Sequence, residues 1–316
     1  MQIRKLVKSG LSSFVVAVPK EWLEKNKLKA GDNIYLEESK DGTLIISKEL
    51  KEKLKEKKEI IIDVDGKQPF TIKREILAAY FNNYYYINIT GKELNEKIDT
   101  IKEQISLLLG MGIVEESSTK ILLNDFLDLK DVDISVIIRR MDNIVRAMIS
   151  DFKSGIKDKK ILKLIPSRDY ELDKLYFLVF RTLKTTFSDN SMFKDINITR
   201  EEFQMFWKVN FHLEKIGDMI KRMAALIERI SSKKHEQKII ELLSDSEKFY
   251  LSVMKSFHLK NKIMSDAVAR TRNTLMEKID KFIESSKDPI ISHVGVELES
   301  FIIQSNDISR AVYYLS

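Results

Sequence analysis

The sequence predicts a multidomain chain: a small β-rich N-terminal domain, a short α/β unit and a long all-helical C-terminal region. Glycine and proline are scarce, 10 and 4 among 316 residues, which favours long helices over a turn-rich β protein. Strand-like runs such as "SSFVVAVP" and "EIIIDVD" fall before about residue 131, whereas from there on apolar residues recur at helical spacing. Hydrophobic residues make up 43% and charged residues 32%, a balance that folds rather than stays disordered. No run approaches the roughly 18 apolar residues of a membrane-spanning helix. The start, "MQIRKLVKSG", lacks the apolar core and cleavage site of a signal peptide. With no cysteine there are no disulfides, thiolate metal sites or cysteine nucleophile, and a cytoplasmic location is expected.

Residues 1–47 form the first expected domain. "SSFVVAVP" is a strand closed by Pro19, and "KEWLEKNKL" is a short helix. "KAGDNIYLEE" turns at Gly31-Asp32 into an alternating strand, and Asp41-Gly42 in "KDGTLIIS" favours a tight hairpin turn. So short a segment cannot bury a good core alone, so association with a second copy is expected. The net charge is only +6. Within residues 1–30, however, Arg4, Lys5, Lys8, Lys20, Lys25, Lys27 and Lys29 face only Glu21 and Glu24. Such a patch is the electrostatic footprint of nucleic-acid binding, although a solvated lysine surface would look the same.

"KELKEKLKEKK", 48–58, has almost no apolar face and reads as a charged helical linker. Residues 59–130 alternate between strands and helices: "EIIIDVD", "KREILAAYFNN", "YYYINIT", "NEKIDTIKEQISLLL", then strands near "GIVEE" and "KILLN". Tyr84, Tyr85 and Tyr86 could stack on a base, though aromatic strand residues more often pack. Beyond 131 the spacing predicts helices near 132–156, 167–188, 200–230, 233–284 (broken or very long) and 289–315. Their starts are signalled by Ser167 after Pro166, by Thr199 with Glu202 as a capping box, and by Asp288-Pro289. The order suggests two rounds of three helices, 131–230 and 231–316, packed as two three-helix bundles.

Two acidic pairs stand out. Asp169 and Asp173 are four apart on one expected helix, and Glu214 and Asp218 are four apart on the next. Like charges at that spacing cost a few tenths of a kcal/mol. Val209, Leu213, Ile216, Ile220, Met223 and Ile227 form the apolar stripe of the later helix, and Glu214 and Asp218 lie nearly opposite it. Two such pairs on consecutive helices make an oxygen-rich surface that a hard or borderline cation would neutralise. Ordinary surface acid is the plainer alternative, because Asp218 can pair with Arg222 one turn on.

Here "LEKIGDMIKRMA" resembles the Glu-(Arg/Lys)-Ile-Gly-Asp signature of the PhoU family of phosphate-signalling proteins, and "DYELD" resembles its companion motif. The resemblance implies two homologous three-helix bundles, a double PhoU-like bundle over 131–316, with motif pairs that bind a multinuclear metal cluster. Asp169, Asp173, Glu214 and Asp218 match in the first repeat. The second departs: "NTLMEKID" offers Asn273 and Glu277, and "IIQSND" offers Ile303 and Asp307, so a weaker or empty second site at Glu277 and Asp307 is implied. The metal is open among Fe, Zn, Mn, Ni and Mg. The N-terminal "RKLVKSGLSSFVVAVPKEWLEKNKLKAGDNIYLEESKDGTLIIS" is similar to the AbrB/SpoVT domain, which implies a swapped-hairpin β-barrel homodimer that binds DNA through basic residues. Arg4, Lys5, Lys8, Lys20 and Lys25 are the expected DNA contacts. Together the resemblances imply a transcriptional regulator of phosphate uptake; the alternative is a PhoU-type modulator that docks on phosphate transporter subunits or a sensor kinase.

An enzyme is not expected. Di-iron carboxylate proteins need Glu-x-x-His on two helices, and none of His212, His235, His258 and His293 has glutamate three positions before it. No phosphate-binding glycine loop is present; "GMG" at 110–112 reads as a turn after a helix. A metal-dependent hydrolase is the enzymatic alternative, since bridging carboxylates can hold a reactive water.

Overall fold

The computed structural model describes residues 3–38, 42–48, 57–230 and 232–315. The chain divides into two compact units, 1–56 and 57–316.

In the first unit, β1 (Val7–Ser9) pairs antiparallel with β2 (Ser13–Val15), placing Val7 opposite Val15. Helix α1 (Lys20–Lys25) begins immediately after Pro19, whose ring fixes the extended entry. Strands β3 (Tyr35–Glu38) and β4 (Leu44–Ser47) form a second antiparallel pair. Among the described residues these remain two separate two-stranded sheets, so the expected β-barrel does not close within one chain. The reason is size, because strands of three or four residues give too little sheet to curl on itself. Apolar side chains stay in the open as a result: Phe14 is 65% exposed, Leu36 61% and Leu44 55%. The Asp41-Gly42 turn falls partly outside the described residues, as does most of the 48–58 linker.

The second unit opens with the α/β layer. Its strands are β5 (Glu59–Asp63), β6 (Tyr86–Thr90), β7 (Met111–Glu116) and β8 (Lys120–Asp125), in the order β5-β6-β8-β7. A crossover through α2 (Pro69–Phe81) makes β5 and β6 parallel; the other pairings are antiparallel. Helix α3 (Ile98–Ser106) follows β6. Alternate residues Ile62, Ile87, Ile89, Ile121 and Leu123 point to one face and meet Ile72, Ile76 and Ile101 in a closed core. Tyr85 and Tyr86 pack edge to face, 4.8 Å between centroids.

The helical region contains α4 (Ile134–Gly155), α5 (Ile165–Ser188), a short α6 (Met192–Asp195), α7 (Arg200–Ile227), α8 (Lys233–His258), α9 (Lys262–Glu284) and α10 (Pro289–Leu315). The long 233–284 segment is broken at 259–261: Lys260 takes φ 48°, and Asn261 caps the next helix by accepting from the Met264 N–H at 2.9 Å. Ser167 does not open α5; the helix starts at Ile165, with Pro166 in its first turn, where no N–H is needed. Helices α4, α5 and α7 make one three-helix group and α8, α9 and α10 another. Both share a single apolar core in which Val209, Ile216, Ile220, Leu298 and Ile302 are fully buried. Arg222 of α7 grips Glu297 of α10 with two hydrogen bonds of 2.8 and 3.1 Å. Buried Asp142 of α4 receives Arg146, Tyr250 Oη at 2.8 Å and His258 Nε2 at 2.9 Å, which ties α4 to α8. Among the described residues no helix is long and apolar enough to cross a membrane.

Candidate metal centre

The two acidic pairs meet because α5 and α7 approach closely. The start of α7 is fixed by the capping box: the Glu202 N–H donates to Thr199 Oγ1 (3.1 Å), and the Thr199 N–H donates to Glu202 Oε2 (2.9 Å). One helix side of α5 buries Leu172, Leu175, Val179 and Leu183. At the crossing point stands Gly217, where an added Cβ would fall 2.4 Å from Leu172 Cδ2 and 3.6 Å from Asp169 Oδ1. Gly217→Ala gains helix propensity but overpacks a fully buried leucine. A net loss of about 1 kcal/mol is expected, read as a lower denaturation midpoint.

Asp169 is only 4% exposed. Lys221 of α7 reaches across to it, hydrogen-bonding Asp169 Oδ2, and also lies 3.3 Å from Asp218 Oδ1. Lys215 sits 3.2 Å from Glu214 Oε2 and 3.7 Å from Asp218 Oδ2. Its hydrogen bond goes to the other Glu214 oxygen, at 3.4 Å, so the buried Oε2 is left without one. Arg222 is 3.9 Å from Asp218, but its hydrogen bonds go to Glu297. Burial followed by the Asp169 charge pushes the Asp173 carboxyl up to about 7. Burial also raises Asp169, outweighing the downward pull of Lys221, and raises Glu214. Burial pulls Lys221 down, yet its hydrogen bond to Asp169 wins and leaves it above its usual value.

The donor chemistry suits a hard or borderline cation: carboxylates from two helices, one buried oxygen without a hydrogen bond, and one carboxyl at Asp173 held at the edge of ionisation. As the chain stands, though, no three acids or histidines among the described residues are drawn close enough to hold an ion. The basic side chains, Lys221 above all, stand among them.

The second repeat is arranged differently. Glu277 is exposed, Ile303 is 38% exposed, and Asp307 pairs with Arg310 at 3.3 Å. The acidic contact there is instead between Asp280 of α9 and Glu299 of α10, where burial and the Asp280 hydrogen bond push Glu299 up to about 7. Sequence reading missed this pair because spacing along one helix does not give the register between two. His212 meets Gln304 (2.7 Å), and His293 lies 3.7 Å from Glu297, so neither joins the four carboxylates.

In the N-terminal unit Arg4, Lys5, Lys8, Lys20 and Lys25 are all exposed. Lys8 lies in β1 opposite Phe14, Lys25 closes α1, and Lys20 opens it with Glu24 at 3.6 Å.

The chain thus combines a β-hairpin N-terminal unit with an acid-faced helical bundle. Residues 7–54 match the family model described as "Antidote-toxin recognition MazE, bacterial antitoxin", and residues 138–227 match that of the PhoU domain. The second match runs from α4 to the end of α7 and contains Asp169, Asp173, Glu214 and Asp218. No curated protein and no solved structure matches the chain.

Proposed function

We propose that this protein is a DNA-binding transcriptional regulator of phosphate uptake, whose helical domain relays phosphate status to the N-terminal unit. The observation that carries the reading is the union, in one chain, of a MazE-type segment with a basic surface and a PhoU-type bundle. A second copy of the chain would cover the apolar side chains of the N-terminal unit, including Phe14, Leu36 and Leu44, so the DNA-binding form is a homodimer. Arg4, Lys5, Lys8, Lys20 and Lys25 serve as phosphate contacts. Asp169, Asp173, Glu214 and Asp218 hold a metal ion or cluster, which supplies positive charge to neutralise the carboxylates and fasten α5 to α7.

A mobility-shift titration of the full-length protein on DNA upstream of phosphate-transport genes tests the regulator reading. Binding at low salt is expected; no binding with or without added metal would end it. Charge reversal at Arg4 and Lys5 should weaken binding evenly across DNA sequences. It should flatten the plot of log affinity against log salt by about one unit for each DNA phosphate no longer neutralised.

One observation favours the second reading, docking on a transporter subunit or a sensor kinase. Helices α5 and α7 carry an open aromatic row: Phe180 packs on Trp207 (5.2 Å), Trp207 on Phe203 (5.9 Å), and Phe203 on Phe187, which is 76% exposed. Retention of transporter subunits by the wild-type chain but not by a Phe187→Ser, Trp207→Ser variant, together with no DNA binding, would favour it.

A further inference from the structure

We propose that Lys221 is the resident cation of the carboxylate site, and that a metal ion enters only by displacing its ammonium group. The inference rests on the metal reading above. It adds that lysine and metal hold the same position in turn, so that occupancy of the site sets where Lys221 lies.

Among the described residues three basic side chains approach the four carboxylates, and one of them spans the two helices. Lys215 touches Glu214 and Asp218, both on its own helix. Arg222 is committed to Glu297 of α10. Lys221 joins Asp169 of α5 to Asp218 of α7, and among the described residues no other basic side chain contacts both. It therefore does what a bridging ion would do, with one positive charge and rotatable donors instead of a rigid coordination shell. Asp169 needs this partner, because at 4% exposure a carboxylate left alone would be a buried unpaired charge.

The lysine is well placed to leave. Its side chain is 40% exposed, against 6% for that of Asp169, so the ammonium can swing to water while the acid cannot. What remains behind is a set of oxygen donors. Lys221 does not satisfy that set even now: Glu214 Oε2, 3.2 Å from Lys215 Nζ, accepts no hydrogen bond. A divalent ion brings two charges where Lys221 brings one, so exchange reduces the acid excess. Two consequences follow. Metal affinity in the wild type is lowered by the cost of breaking the lysine's ion pairs, and metal binding releases a lysine head group to solvent.

The test uses the full-length protein, stripped with chelator and titrated with Mn²⁺ by equilibrium dialysis. Wild type is compared with Lys221→Met and with Lys215→Met, which removes the same charge without removing the bridge. Lys221→Met should bind Mn²⁺ about tenfold or more tightly than wild type, while Lys215→Met stays within about threefold, since hydrogen bonds to charged groups are the stronger ones. In the wild type, amine-reactive labelling read by peptide mass spectrometry should rise at Lys221 when Mn²⁺ is added. That second measurement decides the matter if Lys221→Met does not fold. Mn²⁺ bound by the wild type with labelling of Lys221 unchanged would overturn the proposal and leave the metal reading standing. Equal tightening in both variants would overturn it too, as a simple charge effect. No Mn²⁺ bound by any of the three would overturn this proposal and the metal reading together, leaving the DNA-binding reading intact.

Discussion

Replacing Arg181 with methionine should lower the stability of the 57–316 unit by about 3–5 kcal/mol, the typical cost of removing one partner from a buried ion pair. Arg181 is 1% exposed, on the inward side of α5. Its guanidinium pairs with Asp125 at the end of β8 and donates through Nε to Asn83 Oδ1 at 2.8 Å. It also lies over the Tyr80 ring, 4.4 Å from the centroid. Asp125, 9% exposed, would be left with no cation to meet it. The Tyr80 ring would lose its cation while its hydroxyl still donated to Leu109 O at 2.9 Å. Removing both charges, as Arg181→Met with Asp125→Leu, should recover much of the loss, because well-packed apolar groups can replace a buried pair. Urea denaturation of the two variants and the wild type measures this. A single variant as stable as wild type would mean that Asp125 finds another partner. The expected damage also reaches the carboxylate site, since Arg181 stands about two turns beyond Asp173 on the same helix. The α/β layer and the acid pairs are thereby held by one element.

Much of this architecture is legible in the sequence, and the parts that are not share a cause. Two of the three helix starts written in local chemistry read correctly, Ser167 being the exception: the Thr199–Glu202 capping box forms as its spacing implies, and Asp288 caps α10 by accepting from the Ile290 N–H at 2.9 Å. The break at 259–261 has no glycine or proline to announce it; it depends on Lys260 adopting a positive φ beside a capping asparagine. The acid pairs are visible because helical periodicity sets them apart from the apolar stripe, whereas the second-repeat departures at Asn273 and Ile303 are visible only against the motif that the PhoU resemblance implies. Lys221 is not. A lysine three residues after Asp218 reads as an ordinary surface ion pair, and its reach to Asp169 depends on how α5 crosses α7 at Gly217. Arg181 with Asp125, Arg222 with Glu297, and Asp280 with Glu299 likewise join residues on different elements, where the partner is set by packing and not by spacing.

Asp173→Asn should stabilise the metal-free protein at pH 8, by about 2 kcal/mol, where most buried-site substitutions destabilise. Burial and the Asp169 charge lift the Asp173 carboxyl from an ordinary 3.8 to about 7, and Glu214 and Asp218 add to the rise while Lys221 opposes it. A raised acid binds its proton more tightly in the folded chain than in the unfolded one. Its contribution is therefore full at low pH and is lost as pH climbs from about 4 to about 7. The full shift would be worth about 4 kcal/mol at 1.36 kcal/mol per unit, and partial exposure to solvent screens this to roughly half. Asparagine keeps the shape and cannot ionise, so the variant should show a flatter stability profile between pH 4 and 8 than the wild type in the presence of chelator. Asp142 supplies the opposite limb. Burial raises it, but the hydrogen bonds from His258, Arg146 and Tyr250 win and hold it below its ordinary value. Its contribution is present above about pH 4 and fades as pH falls below that, and Asp142→Asn should remove that acid limb while leaving the neutral one. Thermal melts of wild type and both variants across the pH range separate the two carboxylates. An Asp173→Asn profile parallel to that of the wild type would mean that Asp173 stays charged in the folded protein, with its repulsion from Asp169 relieved by Lys221.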